Sequence, residues 1–211
     1  MSADPYIFPP RKAEIANSIT HAAGVLFGVG VLIASCCIPG LPLVHRIGLL
    51  VFAGCMMEMY CVSTIYHLEQ RTGRKIFLRL MDHISIYFLI AGTYTPFILV
   101  CLSGYSRWML LAIIWGIVVI GIIYKLWWWK RFPKISLYFY LAMGWMVVFF
   151  IRPMYQTLPL EGFIWLIAGG LSYSLGTIFY AKSKPLYNHA IWHLFVLGGS
   201  ICHFMAIWAT V

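Results

Sequence analysis

Charge is what this sequence lacks. Only 10% of its 211 residues are Asp, Glu, Lys or Arg, and just six of those are acidic, whereas roughly a quarter of a soluble domain is charged. That composition excludes a soluble globular domain. Cysteine pairing motifs are also missing. Cys36, Cys37, Cys55, Cys61, Cys101 and Cys202 form no C-x-x-C pair, and nearly all lie inside or at the ends of apolar segments, as small hydrophobes do. No disulfide framework is expected. The first fourteen residues are polar, hold Pro5, Pro9 and Pro10, and lack the short apolar core and small-residue cleavage site of a removed signal. The first apolar segment is therefore expected to remain in the membrane. Neither a second large domain nor an internal repeat is visible.

What is there is hydrocarbon: 62% of residues are hydrophobic and the mean hydropathy is +0.87. Runs of about 20 apolar residues suffice for a helix to cross a bilayer. Seven such runs occur, at 15–38, 43–67, 76–102, 108–126, 135–151, 162–181 and 186–210. The expected fold is an all-α integral membrane protein, a seven-helix transmembrane bundle over residues 15–211 preceded by a cytoplasmic segment, 1–14. The fifth run has the least defined limits, because Arg152, Pro153 and Pro159 separate it from the sixth. A net charge of +9 would suggest nucleic acid in a soluble chain. Here Lys and Arg fall between apolar runs, where they orient the chain and meet anionic headgroups, so nucleic-acid binding is rejected. Arg11, Lys12, Arg71, Arg74, Lys75, Arg79, Lys125, Lys130, Arg131, Lys134, Lys182 and Lys184 flank one end of the runs, and only Arg46, Arg107 and Arg152 flank the other. Positive charge stays inside, so the N-terminus is expected in the cytoplasm and the C-terminus outside. Trp127, Trp128 and Trp129 have the composition of an interfacial anchor.

That topology gathers the polar residues of several runs at one depth. His189 and His193 are four apart and share a helix face, the spacing at which two imidazoles reach one metal ion. His67 closes the second run and Asp82 lies about two turns into the third. An ionisable group inside a bilayer costs at least ~2.5–3.5 kcal/mol on insertion scales, so each is a functional candidate. Three neutral imidazoles make a tetrahedral Zn²⁺ site with one open corner, where the metal would lower the pKa of a water to about 7. Asp82 is placed as general base, and Ser63, one turn before His67, as a donor to a developing oxyanion. The competing view is a set of structural histidines hydrogen-bonded between helices, with Asp82 paired to Arg79.

Glu14-Ile15-Ala16-Asn17-Ser18-Ile19-Thr20-His21, Ser63-x-x-x-His67, Met81-Asp82-His83 with Gly92-Thr93-Tyr94-Thr95-Pro96-Phe97, and His189-x-x-x-His193 occur in this order. Together they resemble the bacterial haemolysin III branch of the progestin and adipoQ receptor family, over most of the chain. The resemblance implies seven helices with the N-terminus cytoplasmic, a zinc held by His67, His189 and His193, Asp82 near the water, and Ser63 close by. The wider superfamily includes alkaline ceramidases, in which a similar site hydrolyses a lipid amide.

Glu14, Asn17, Ser18 and His21 form one stripe continued by Gly24 and Gly28, so the first helix is expected to turn a polar, close-packing face inward. Glu14, Asn17 and His21 are placed around the metal or along its cavity. His83 is turned about 100° from Asp82 and is left as a structural histidine. His203 lies ten residues beyond His193, too far to share the metal, though Ser200 and His203 continue its stripe and could line a cavity. The His189 to His203 spacing is similar to that of bis-histidine haem pairs, but no second helix offers a matching pair. Glu58, read as buried mid-helix but opposite His67 on the wheel, is placed outside the site. Pro96 should kink the third helix above Asp82. The expectation that follows is a zinc-dependent hydrolase of lipid amides or esters in a bacterial inner membrane, with membrane lipid as substrate or ligand. The rival is a non-enzymatic protein, a cytolytic pore or a receptor-like factor of membrane homeostasis, in which zinc is structural.

Overall fold

The computed structural model describes residues 9–128, 135–182 and 186–211. Trp129, Lys130, Arg131, Lys134 and Lys184, counted above as anchors or orienting charges, lie outside them, as do residues 1–8 of the N-terminal segment. Among the described residues the structure is entirely helical, and seven helices are long and apolar enough to cross a membrane. They are α1 (Arg11–Cys37), α2 (Leu43–Leu68), α3 (Thr72–Cys101), α4 (Gly104–Trp127), α5 (Ile135–Thr157), α6 (Leu160–Tyr180) and α7 (Asn188–Trp208). Several begin a turn or more before the apolar run does. α1 takes in Arg11 and Lys12, and α3 takes in Thr72 to Lys75, because polar residues prolong a helix wherever its end reaches beyond the hydrocarbon.

α3 is the central helix, with nearly every residue from Ile84 to Leu99 buried. α2 and α4 pack beside it, α1 packs against α2 and α7, and α6 pairs with α7. The α1 stripe turns inward: Glu14, Asn17, Ser18, His21, Gly24, Gly28, Val31 and Ser35 are all buried. Gly24 allows this close approach, since a Cβ there would lie 2.6 Å from the ring of Tyr60, itself fully enclosed. At the opposite end of α1, Arg46 donates to the carbonyls of Ser35, Cys36 and Ile38, meeting acceptors that a helix end leaves open. α3 stays helical through Pro96, whose Cα sits where Gly48 of α2 presents no side chain.

α5 departs most from its expected limits, running to Thr157 rather than residue 151. It is built of an α-helix over Ile135–Gly144, a 3₁₀ helix over Trp145–Phe150 and an α-helix over Ile151–Thr157. The cause lies in α3. The Tyr94 hydroxyl donates to the Gly144 carbonyl at 2.7 Å and accepts from the Val147 N–H at 2.8 Å, inserting itself into the backbone ladder where the winding tightens. Pro153 falls in the first turn of the last piece, where no intrahelical donor is needed. Few of its residues are enclosed, chiefly Ser136, Tyr140, Met143 and Met154, so α5 forms a thin wall.

Gly24→Ala should lower stability by about 1–3 kcal/mol through overpacking against Tyr60. Gly30→Ala, where a Cβ meets nothing within 4 Å, should be neutral or slightly stabilising. Thermal unfolding of the two variants in one detergent checks the contrast.

Candidate metal centre

The first turns of α1, α3 and α7 and the last turn of α2 meet at one end of the bundle. His67, His189 and His193 each offer a ring nitrogen there, and the three nitrogens lie within 4.8 Å of one another. Their ring centroids are 5.1 Å apart for His67 with either of the others, and 4.5 Å for His189 with His193. His67 and His193 are buried, and His189 is partly open. Three histidines therefore stand close enough to bind one metal ion.

Their neighbours fix which nitrogen is available. His67 Nδ1 lies 2.5 Å from Glu14 Oε2, so it carries the hydrogen donated to the carboxylate. His67 Nε2 is buried and has no protein partner. His193 Nδ1 lies 3.0 Å from the Asn17 carbonyl, which only accepts, and 3.1 Å from Thr20 Oγ1. That hydroxyl can give its own hydrogen to the carbonyls of Ala16 or Asn17. His193 is thus also held with hydrogen on Nδ1 and its lone pair on Nε2. A ring whose far nitrogen donates to a carboxylate or carbonyl is oriented for metal ligation.

Glu14 is anchored by a residue that the sequence reading assigned to a loop. Lys75 is completely buried in the first turn of α3, and its Nζ lies 2.6 Å from Glu14 Oε1. It also donates to the carbonyls of Tyr66 and Glu69 at 3.1 Å each, and sits 4.8 Å from the centre of the Tyr66 ring. Two of the ammonium hydrogens go to carbonyls at the open end of α2, and the Glu14 carboxylate balances the charge. A run of Lys75, Glu14 and His67 thus spans α3, α1 and α2. The detectable signal is that Lys75 and Asp82, seven apart, share a face of α3.

The remaining expected site residues fall as follows. Asp82 borders the cavity that opens beside His189 and His193. Ser63 is buried with its hydroxyl next to the Asp82 carboxylate. The Asn17 side-chain amide is 3.4 Å from His67 Nδ1. His21 is outside the ligating group but stacks on His193, with centroids 3.4 Å apart and planes 18° apart, and meets Tyr60 edge-on. His203 is far along α7, in the same cavity. His83 is outside the three-histidine group and borders the cavity beside Asp82, because the space is wide enough to touch adjacent faces of α3. One reading changes. Glu58 is not merely off the site; its side chain is exposed on the outer face of α2.

The cavity has a volume of about 150 Å³ and runs from Asp82 and the two α7 histidines between α3, α5, α6 and α7. Beyond the histidines its walls are mainly apolar, with Leu89, Phe97, Leu141, Leu166 and Val196 among them. The thin α5 forms one side.

Residues 11–204 match the family described as haemolysin-III related. The chain is 40% identical over 205 residues to "Hemolysin-3" of Bacillus cereus, covering 93% of this chain and 90% of that protein. It is also 40% identical over 198 residues to "Hemolysin-3 homolog" of Bacillus subtilis (strain 168), covering 93% of each. "Monocyte to macrophage differentiation factor" of Homo sapiens is 32% identical over 165 residues, covering 72% of this chain and 66% of that protein. With its seven apolar helices and the ordered motifs on α1, α2, α3 and α7, the chain belongs to the haemolysin III branch of the progestin and adipoQ receptor family, as a multi-pass membrane protein of bacterial type.

Proposed function

We propose that His67, His189 and His193 hold one Zn²⁺ ion and that the chain is a hydrolase of lipid amides or esters drawn from the bilayer. The observation that carries this is the pair of fixed tautomers. His67 gives Nδ1 to the Glu14 carboxylate and His193 gives Nδ1 to the Asn17 carbonyl, the bracing found behind ligating imidazoles, and a ring nitrogen of each lies within 4.8 Å of the other and of one on His189. Three imidazoles without a thiolate, with one side open to a cavity, suit catalytic rather than structural zinc. Bound there, the metal supplies Lewis acidity, acidifying water and polarising a carbonyl.

The protein's own groups supply the rest. Asp82 accepts the proton of the attacking water and returns it to the leaving amine or alcohol. The Ser63 hydroxyl, beside Asp82, donates to the oxygen on which charge develops. Glu14 and Lys75 hold the His67 ring in place, and Asn17 and Thr20 do the same for His193. The apolar cavity accepts the hydrocarbon chain and keeps bulk water away. The density of Arg and Lys at this end of the bundle supports placing it at the cytoplasmic leaflet. The name of the bacterial relatives suggests lysis instead, with the metal as a structural element. Dye release from liposomes that persists in His193→Ala would favour that alternative.

Glu14→Gln should lower stability by about 3–5 kcal/mol, because it leaves the buried Lys75 ammonium without its counter-charge, and should weaken metal binding of the folded protein 10–100-fold, the usual cost of losing a carboxylate behind a ligating histidine. Metal analysis after dialysis against a graded chelator checks it. Asp82→Asn should retain zinc yet lower turnover of a fluorescent lipid amide by roughly 10²–10⁴-fold. Undiminished turnover in that variant, or purified wild-type protein without stoichiometric zinc, defeats the proposal.

A further inference from the structure

A second polar spot occupies the same cavity, well away from the histidine cluster. His203 follows His193 by ten residues on α7, roughly 15 Å along the axis. Its surroundings are mostly hydrocarbon, with the Phe97 ring edge-on at 5.8 Å and Tyr173 at 5.6 Å between centroids. His203 Nε2 lies 3.3 Å from the Leu166 carbonyl. A carbonyl only accepts, so Nε2 carries the hydrogen and Nδ1 is left as a lone pair. The residue is only 9% exposed, borders the cavity, and no protein group donates to Nδ1.

The surroundings hold the ring in this state. A Cβ on Gly169 of α6 would lie 2.5 Å from the imidazole, so α6 omits a side chain where the ring seats. The hydroxyls nearby are engaged with one another: Tyr60 and Tyr173 each lie 2.9 Å from Ser200 Oγ. An acceptor stranded in apolar surroundings is costly unless a donor meets it.

We propose that His203 Nδ1 recognises a hydroxyl carried on the hydrocarbon chain of a lipid in this cavity, so that hydroxylated acyl chains are selected over plain ones. This rests on the reading of the cavity as a lipid site and is independent of whether hydrolysis follows. The position along the chain follows from depth. About 15 Å is half of the ~30 Å hydrocarbon core, so a lipid whose polar head lies at the histidines presents the far part of its chain to His203. Ricinoleate carries its hydroxyl in that part and otherwise matches oleate.

The test is binding of ricinoleate and of oleate to the purified protein in nanodiscs, followed by calorimetry or native mass spectrometry. Ricinoleate should bind on the order of tenfold more tightly, and His203→Phe should bring both to the oleate level. Equal binding to wild-type protein means that a buried water satisfies Nδ1, and overturns the proposal while leaving the lipid site intact. A preference that survives His203→Phe overturns the assignment to this residue. If neither lipid binds, the cavity is not a fatty-acyl site, and the proposal falls with that premise. Should His203→Phe fail to fold, the wild-type ratio alone decides.

Discussion

The ion pair between Lys75 and Glu14 is the interaction on which the polar end of this bundle depends. Burying either charge alone would be prohibitive in so apolar an interior. Together, with the carbonyls of Tyr66 and Glu69 taking two ammonium hydrogens, they form a network that ties α1, α2 and α3. The carboxylate then has one oxygen left for His67. A tautomer is thereby chosen two helices away from the lysine that makes the choice possible. The same logic operates more cheaply at His193, where the backbone carbonyl of Asn17 does the orienting without a charge.

Several polar groups of the membrane interior are paired with one another. Tyr60, Tyr173 and Ser200 satisfy one another across α2, α6 and α7. His67 Nε2 and His203 Nδ1 remain unmatched; the first sits in the histidine cluster and the second borders the cavity.

Much of this was legible in the sequence, for physical reasons that also mark the limits. The period of 3.6 exposes the Glu14, Asn17 and His21 face of α1 and the His189, His193 pair of α7, because the same geometry that aligns them in space spaces them along the chain. Lys75 was not legible. A lysine at the edge of an apolar run reads as an orienting loop charge, and only a partner from another helix reveals that it is enclosed. The break in α5 was equally hidden, since its cause is the hydroxyl of Tyr94, about fifty residues earlier.

The Lys75 to Glu14 pair also bears on how the chain enters the membrane. Glu14 belongs to the first span to be synthesised, and its cation belongs to the third. Until α3 emerges from the ribosome, α1 must either keep its carboxyl protonated or remain at the mouth of the translocon, in reach of water. A charged Glu14 thus finds its counter-ion inside the bundle only once three helices have been made.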